Sequence, residues 1–410
     1  MRSRLAITLG LVCGIALGAA ATLAIQSGGL PFERSHMEAP GGRPAVARTS
    51  TTPEAATTFL AWAPAGIPAG FAGDVSTLDG IRRVTVVAED NAWLTRSWSA
   101  DGDLVDHPRP PYMVPLDVAA ARPGSFAPFL PPADRDLVVE LRLGEGILGA
   151  TSAELRGLGA GATLRFNGGS EVTIAGVVPD ELVGAAELMV SKQEGRRIGV
   201  THDRYVLVQR TGRRLPRSSR LAARMRSLLP TSISPPFRRV QVRAPGETPY
   251  FREGDAVLPP VLVKVVFGEF AARPDPARPG YLRIDPSWVR DHIVTATVPV
   301  LGKVTCNRAL IPQLRDAMLA VRDRGLADTI KTYAGCYVPK FINRNPASLI
   351  SHHAWGMAFD VNAATNPYGA SPHQDPRLVR VLEQHGFIWG GSFLVPDGNH
   401  FEYRFSPSGA

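Results

Sequence analysis

The strongest constraint on this fold lies near the C-terminus, where two short segments carry histidines beside carboxylates. His353 and Asp360 belong to the first segment, and Asp397 and His400 belong to the second. Two imidazoles and one carboxylate form a typical ligand set for a catalytic zinc ion, whose fourth position stays open for water. The fold must therefore bring the two segments together. Asp397, three residues before the last histidine, is placed to accept a proton from that water.

The run from Gly356 to Asn362 alternates large apolar side chains with small or polar ones. This is the period of a β-strand, in which successive side chains point to opposite faces. The predicted core-facing residues are Met357, Phe359 and Val361, and the opposite face carries Gly356, Ala358 and Asp360. The small residues leave room for an ion beside Asp360. A core strand that ends in a capping aspartate would explain the alternation, but not the nearby histidines.

Residues 397–399 are typical of a turn, and a strand from His400 to Phe405 is predicted to follow it. The turn lets Asp397, its first residue, come close to His400. Glu402 shares the predicted face of His400, which favours either a hydrogen bond to an imidazole or a buried structural role. His352 is predicted to point away from the site, in a structural or substrate-facing role.

The length of 410 residues predicts two folded domains with connectors. The 40 glycines and 36 prolines favour a strand-rich and loop-rich build. Short apolar runs between turn residues predict a β-rich domain at residues 59–214, with no catalytic cluster of its own. Its predicted elements are strands at Arg83–Val87, Leu137–Leu141, Thr163–Phe166 and Val172–Val178, and a helix at Thr151–Leu158. A basic helix at Leu215–Leu229 and a proline-rich connector make up residues 215–279.

The C-terminal domain is predicted at residues 280–410, with an α+β fold made of a small antiparallel sheet and flanking helices. Its first helix is predicted to be capped by Asn307 and to stop at Gly325. The apolar positions of that helix are Leu310, Leu314, Met318 and Val321. The other predicted elements are a strand at Thr329–Tyr333, a helix from Asp375 to Gly386 and a strand at Phe387–Trp389.

The N-terminus predicts export. Arg2 and Arg4 precede an uncharged run from Leu5 to Ile25, long enough to span a hydrocarbon core of about 30 Å at about 1.5 Å per residue. We interpret residues 1–27 as a membrane anchor with the bulk of the chain outside the cytoplasm, followed by a flexible linker at residues 28–58. A cleaved signal peptide, which would give a secreted protein, is the alternative.

Cysteine content and charge agree with an exported protein. Outside the N-terminal run the chain has one cysteine pair, Cys306 and Cys336. A pair in an oxidising compartment predicts a disulfide, and two buried thiols are the alternative. The net charge of +8 suits anionic wall polymers or lipid headgroups as well as a merely solvated surface. The sequence has no nucleic-acid-binding motif, so no nucleic-acid partner is expected.

The two C-terminal segments resemble the zinc D,D- and L,D-peptidases of peptidoglycan, the VanY-type D-alanyl-D-alanine carboxypeptidase family. The first family signature is met at Ser351, His353, Gly356, Ala358 and Asp360. The second is met at Asp397 and at His400, Phe401 and Glu402. The resemblance extends over about residues 286–405 and includes Gly335-Cys336-Tyr337 and Trp389-Gly390-Gly391.

The resemblance implies a zinc peptidase acting on peptidoglycan stem peptides. It implies that zinc is held by His353, Asp360 and His400, with Asp397 as the general base. Many family members have Glu at that base position, and Asp occurs in the L,D-endopeptidase-like branch, so the bond cleaved stays open. The implied substrate-binding residues are Ser351, Tyr337 and Trp389.

The family places an arginine upstream of the first signature, where it binds the substrate carboxylate or the oxyanion. Here that place corresponds to Lys340, and Arg344 follows four residues later. Lysine keeps the charge but loses the bidentate fork of arginine. Either residue is therefore a candidate for this catalytic role.

Two functions from different classes follow. The first is a membrane-anchored zinc metallopeptidase, and the second is a non-catalytic envelope protein whose peptidase-like domain binds wall peptides or a membrane partner. The complete set of ligands and acid favours the enzyme. Residues 146–191 also faintly resemble the extracytoplasmic domain of certain ABC-transporter permeases. This resemblance raises the possibility of a membrane-protein partner for the β-rich domain.

Overall fold

The computed structural model describes residues 58–211, 217–245 and 258–404. The predicted anchor and almost all of the predicted linker lie outside these ranges. Within the described ranges no helix is both long enough and apolar enough to cross a membrane. The structure has the predicted mixture of helices and strands, and its first part is rich in strands, as the sequence indicated.

Nine strands form one sheet in the first part, which we call the β-rich domain. They are β1 (Thr58–Trp62), β2 (Ile81–Trp98), β3 (Val114–Ala121), β4 (Glu145–Gly149), β5 (Thr163–Phe166), β6 (Glu171–Val178), β7 (Leu188–Ser191), β8 (Asp203–Arg210) and β9 (Gln241–Arg243). Their order is β3-β7-β4-β6-β5-β2-β8-β1-β9, and β3 also pairs with β2. Six of the strands therefore form a closed ring, to which β8, β1 and β9 add an extension.

The long strand β2 makes this arrangement by pairing with three partners. Its first part pairs with β8, its middle with β3 and its last part with β5. The strand departs from regular register in two places against β8 and in one place against β5. Such irregularities bend a strand and increase its twist, so β2 can turn from one partner to the next.

Among the described residues, six helices accompany these strands. They are α1 (Phe71–Ser76), α2 (Pro123–Phe126), α3 (Arg135–Val139), α4 (Ala150–Arg156), α5 (Lys192–Arg197) and α6 (Ser218–Leu228). The predictions for α4, α6, β5 and β6 are confirmed within one to three residues at each end, and the predicted strand at 83–87 lies inside β2.

The predicted strand Leu137–Leu141 is wrong, because this segment forms helix α3 and the turn that follows it. Val138 and Leu141 are buried, whereas Val139 is 54% exposed. Burial therefore follows the three-residue spacing of a helix instead of the two-residue spacing of a strand. Two adjacent β-branched valines gave the false strand signal.

Within residues 258–404, the C-terminal part contains a four-stranded antiparallel sheet, two strand pairs and four helices. Its elements are α7 (Pro260–Phe267), β10 (Ala272–Pro274), β11 (Leu282–Ile284), α8 (Pro286–His292), β12 (Ile293–Val298), β13 (Gly302–Asn307), α9 (Ile311–Asp323), β14 (Tyr333–Gly335), β15 (Ala358–Val361), α10 (Pro376–Gln384), β16 (Phe387–Trp389) and β17 (His400–Tyr403). The sheet order is β14-β15-β17-β16. Apolar residues of α9, α10 and the sheet share one buried cluster.

The predicted helices α9 and α10 are confirmed, but Asn307 is not the cap of α9, because the helix begins after Leu310, which makes no side-chain cap hydrogen bond. Asp375 caps α10 by accepting a hydrogen bond from Arg377 N. Asn307 acts one turn before α9, because its Oδ1 accepts from Ala309 N. Gly325 follows α9 with φ +66°, the left-handed conformation in which a helix commonly ends.

The predicted strand Thr329–Tyr333 is displaced, because the segment is a 3₁₀ turn at Ala327–Thr329 followed by β14. The backbone N–H groups of Lys331 and Thr332 both donate to Oδ1 of Asn362. A side chain therefore takes the hydrogen bonds that a strand partner would otherwise take. Pairing with β15 begins only at Tyr333.

The β-rich domain and the C-terminal part meet at a buried group of charges. Lys264 Nζ lies 2.6 Å from Glu187 Oε2 and 2.9 Å from Glu269 Oε1. Arg156 pairs with the same two carboxylates and with Asp106. Burying charges is costly unless they are paired and hydrogen-bonded, so this group fixes α4 of one part against α7 of the other. The predicted domain boundaries themselves stay predictions.

Candidate metal centre

The register of β15 and β17 places Asp360 directly opposite His400. Residues opposite one another on neighbouring strands share a face of the sheet. The third residue, His353, reaches the same face from a 3₁₀ turn that precedes β15. Met357, Phe359 and Val361 lie in the buried apolar cluster, so the predicted alternation of β15 is confirmed.

Three side-chain atoms converge at this place. Asp360 Oδ1 lies 3.1 Å from His400 Nδ1 and 3.2 Å from His353 Nε2. The two histidine nitrogens are 3.2 Å apart. The structure thus brings together the three residues that the sequence predicts as metal ligands.

These separations fit a zinc ion. Two ligand atoms that are each about 2.0–2.1 Å from zinc in tetrahedral geometry lie about 3.3 Å apart. The donor atoms here are 3.1–3.2 Å apart, close to that edge length. Nitrogen and oxygen donors in this number also leave a fourth position open, as in catalytic zinc sites. The residues present therefore fit the cofactor that the sequence implies.

The second nitrogen of each imidazole has a hydrogen-bond partner within the protein. His353 Nδ1 lies 2.9 Å from the carbonyl oxygen of Cys336, and His400 Nε2 lies 3.2 Å from Glu402 Oε2. A ring nitrogen that donates to such an acceptor leaves the other nitrogen free to bind a metal. Both rings are therefore held in the tautomer and orientation that a metal ligand needs.

Glu402 lies behind the site as a shared acceptor. Its Oε2 atom is 2.8 Å from His352 Nδ1 as well as 3.2 Å from His400 Nε2. This confirms the prediction that Glu402 partners an imidazole, and His352 does point away from the three ligand atoms. A structural role for His352 follows from this contact.

The side chains of this group shift one another's pKa values. Burial favours the neutral form of Asp360, but the facing His353 and His400 outweigh it and hold the pKa of Asp360 far below its usual value. Burial opposes the charge of His400, yet hydrogen bonds to Asp360 and Glu402 raise its pKa to about 10. The Asp360 carboxylate thus stays ionised, which suits a cation bound beside it.

Gly356 allows the turn that carries His353 to reach the strand. Its φ is +67°, and a Cβ atom there would lie 2.6 Å from the backbone nitrogen of Asn307. The same nitrogen donates to the Gly356 carbonyl. Only glycine combines the left-handed conformation with this close approach, which explains why the motif has glycine here.

Gly356→Ala should lower the free energy of unfolding by about 1–3 kcal/mol more than Gly325→Ala, the usual cost of forcing a methyl group into a packed interior. Gly325 is a matched control, because its φ is +66° but no atom lies within 4 Å of an added Cβ. Denaturant unfolding of both variants measures the difference. Equal losses would mean that the contact with Asn307 gives way at no cost.

Asp397 lies in the turn before β17, within the electrostatic reach of the site. Burial raises the pKa of Asp397, and the charge of Asp360 adds to this against the opposite effects of His400, His353 and Lys340. Asn399 Nδ2 donates to Asp397 Oδ1 over 2.6 Å. The structure thus brings the predicted base to the predicted ligands.

The two basic candidates lie in different surroundings. Lys340 is half-buried, and its charge acts on Asp397. Arg344 is exposed, with its guanidinium carbon 5.8 Å from the ring centroid of Tyr281. Of the two, Lys340 is therefore the one whose charge affects Asp397.

The three residues predicted to bind substrate have structural contacts. Ser351 is buried and its Oγ accepts from His353 N. Trp389 Nε1 donates to the carbonyl oxygen of Gly398 in the turn of Asp397. Tyr337 is half-buried, and burial raises its pKa to about 12. Their contacts with a substrate stay predictions.

A chain of amides that the sequence analysis missed connects β15 to the turn of Asp397. Asn366 Nδ2 donates to the Asn362 carbonyl, and Asn399 Nδ2 donates to the Asn366 carbonyl. Asn362 has φ +57°, a conformation that asparagine adopts more readily than most residues. The sequence signal that could have revealed this chain is the presence of several asparagines within about forty residues.

The predicted disulfide between Cys306 and Cys336 is present. It joins the end of β13 to the residue after β14. The carbonyl oxygen of Cys336 is also the acceptor that faces His353 Nδ1. The bridge therefore fixes the backbone that orients one candidate ligand.

Replacing both cysteines with serine should lower the free energy of unfolding by about 3–4 kcal/mol, because a loop of this length loses its constraint in the unfolded chain. Zinc affinity should fall as well, since His353 loses part of its support. Denaturation in the presence of a chelator separates the two effects. Reduction of the wild-type chain is the control and should reproduce the stability loss; an unchanged stability would contradict the expected role of the bridge.

Comparison with known proteins agrees with the family resemblance of the C-terminal segments. A family model described as D-alanyl-D-alanine carboxypeptidase matches residues 344–403. The matched range contains all three converging residues and Asp397, and it excludes Lys340 and Tyr337. No curated protein sequence matches the chain.

Solved structures similar to this chain come from transporters and permeases. One is the periplasmic region of MacB from Actinobacillus actinomycetemcomitans, with 13% identity, a TM-score of 0.30 and coverage of 46% of this chain and 88% of that chain. Another is the extracellular domain of the ABC-type transporter YknZ from Gram-positive bacteria, with 16% identity, a TM-score of 0.25 and coverage of 38% and 84%. A third is a domain of a putative permease protein from Porphyromonas gingivalis, with 13% identity, a TM-score of 0.28 and coverage of 46% and 90%.

The identities of 13–16% and TM-scores of 0.25–0.30 of these structures are too low to carry a function over to this chain.

Proposed function

We propose that this protein is a zinc metallopeptidase that hydrolyses peptide bonds in the stem peptides of peptidoglycan. The observation that carries the proposal is the convergence of His353, Asp360 and His400, whose donor atoms lie 3.1–3.2 Å apart. They fall inside the segment that matches the D-alanyl-D-alanine carboxypeptidase model. The same segment supplies Asp397, a carboxylate in addition to the three residues that would bind zinc.

Zinc held by these three residues would supply Lewis-acid chemistry, making water a stronger acid and a carbonyl a stronger electrophile. Asp397 accepts the proton of the attacking water and returns it to the leaving amine. Asn399 orients the Asp397 carboxylate through Oδ1. Glu402 and the Cys336 carbonyl hold the two imidazoles.

Lys340 provides a positive charge that is close enough to lower the pKa of Asp397. Such a charge stabilises an oxyanion or binds the terminal carboxylate of a stem peptide. This role suits a carboxypeptidase, whose substrate ends in a carboxylate close to the bond that is cleaved. An L,D-endopeptidase would use the same charge for the oxyanion.

The compartment in this proposal is the outer side of the cytoplasmic membrane. The Cys306–Cys336 disulfide is typical of exported proteins, and the uncharged run after Arg2 and Arg4 serves as the anchor. Stem peptides of peptidoglycan occur in that compartment. The β-rich domain adds a possible surface for a membrane-protein partner.

Three synthetic stem peptides test the substrate class. The first ends in D-alanyl-D-alanine, the second differs only in ending in L-alanyl-L-alanine, and the third carries an internal L,D bond. The purified full-length chain with zinc should release D-alanine from the first or cut the third, and leave the L,L peptide intact. Binding of these peptides without cleavage would favour the non-catalytic envelope protein.

A further inference from the structure

A backbone hairpin between residues 338 and 353 carries both Lys340 and the turn of His353. Three hydrogen bonds join its two arms. They run from Val338 N to the His353 carbonyl over 2.9 Å, from Ser351 N to the Lys340 carbonyl over 3.1 Å, and from Ile342 N to the Leu349 carbonyl over 2.9 Å. The position of Lys340 therefore depends on the opposite arm, residues 347–351.

The β-rich domain holds that opposite arm by two side chains. Arg204 Nη2 donates to the Ala347 carbonyl over 2.7 Å, and the Ile350 amide donates to Asn91 Oδ1 over 3.0 Å. Arg204 belongs to β8 and Asn91 to β2, which are neighbouring strands. One place on the sheet thus contacts the arm twice.

Arg204 is itself fixed in place. Its Nη2 atom lies 2.7 Å from Asp90 Oδ1, and its Nε donates to the Glu89 carbonyl over 2.8 Å. The arginine and aspartate side chains are 15% and 10% exposed. Asp90 also accepts from the backbone N–H groups of Thr201 and His202. A guanidinium held on two sides has a defined direction, so it can fix the carbonyl it contacts.

The loop before Asp397 also rests on the β-rich part of the chain. Leu394 packs against a buried cluster that includes Phe126, Phe129 and Tyr205. The Leu394 carbonyl accepts from Arg239 Nη1 over 3.0 Å. The β-rich part therefore contacts both the hairpin that carries Lys340 and the loop before Asp397.

We propose that the β-rich domain is part of the peptidase site and that Arg204 and Asn91 are positioning residues, which hold the hairpin that carries Lys340 and the turn of His353. The proposal rests on the proposed function. The imidazole rings of the ligands are oriented by contacts outside the 347–351 arm, His353 by the Cys336 carbonyl and His400 by Glu402. We call the two contacts of Arg204 and Asn91 with the 347–351 arm the clamp. Loss of the clamp should weaken substrate binding and leave zinc binding intact.

The test compares variants of the full-length chain by amide hydrogen exchange of residues 345–351, by zinc content, and by KM and kcat for a stem peptide. Arg204→Ala should speed exchange in this arm and raise KM, each by about tenfold or more, because hydrogen bonds from a charged group are the stronger ones. Asn91→Ala should have a smaller effect of about threefold to tenfold. Zinc content and kcat should stay within about twofold of wild type, and Arg204→Lys should recover part of the loss.

Lys192→Ala is the matched control. It removes an ion pair with Asp203, the neighbour of Arg204 on β8, without a contact to the hairpin. Exchange at the control level in both clamp variants would overturn the proposal, and so would faster exchange with unchanged KM. A wild-type chain that neither cleaves nor binds stem peptides would overturn the proposed function alone, and the exchange comparison would then decide whether the clamp exists.

Discussion

Asp397→Asn should reduce turnover of stem peptides by about a hundredfold to ten-thousandfold, the usual contribution of general-base assistance. Asparagine has the size of aspartate but cannot take up a proton. The fold and the zinc content should stay at the wild-type level, because Asp397 is not among the three converging residues. Single-turnover kinetics, zinc content and circular dichroism measured on the same sample check all three expectations.

Asp375→Asn is the control for this change. Asp375 caps α10 in the same domain, and asparagine caps helices about as well as aspartate, so turnover should not change. An Asp397→Asn variant as active as wild type would place the base elsewhere. Glu402 would be the next residue to examine.

His400→Ala should abolish zinc binding. The substitution removes one of three donor atoms and also leaves Glu402 without one of its two imidazole partners. Two remaining ligands do not make a zinc site of the structural or catalytic kind. Elemental analysis after gel filtration should find one zinc per wild-type chain and essentially none in the variant. His353→Ala should give the same result.

His373→Ala is the matched control, because His373 is an exposed histidine of the same part of the chain. It should keep the wild-type zinc content. Stoichiometric zinc in the His400 variant would mean that the ligands are assigned to the wrong residues.

The local features of the candidate site could be predicted from sequence because short-range rules govern them. The alternation in β15 follows from the two-residue period of a strand. Asp375 and Pro376 mark the start of α10 by capping chemistry. The spacing of His353, Asp360, Asp397 and His400 indicated the site itself, once the turn at residues 397–399 was recognised.

Long-range contacts could not be predicted in this way. The hydrogen bond from Arg204 to Ala347 joins residues 143 positions apart, and no periodicity reports it. The false strand at Leu137–Leu141 and the displaced strand at Thr329–Tyr333 have related causes. In each segment, contacts with the rest of the fold had more influence on the conformation than the local amino-acid composition.

Mass spectrometry of muropeptides digested by the purified full-length chain tests the central claim most directly. One sample receives the chain with zinc, a second the chain after chelation, and a third the chelated chain with zinc restored. The account predicts shortened stem peptides in the first and third samples and intact ones in the second. Intact muropeptides in all three samples, or the same products in all three, would contradict a zinc-dependent peptidase.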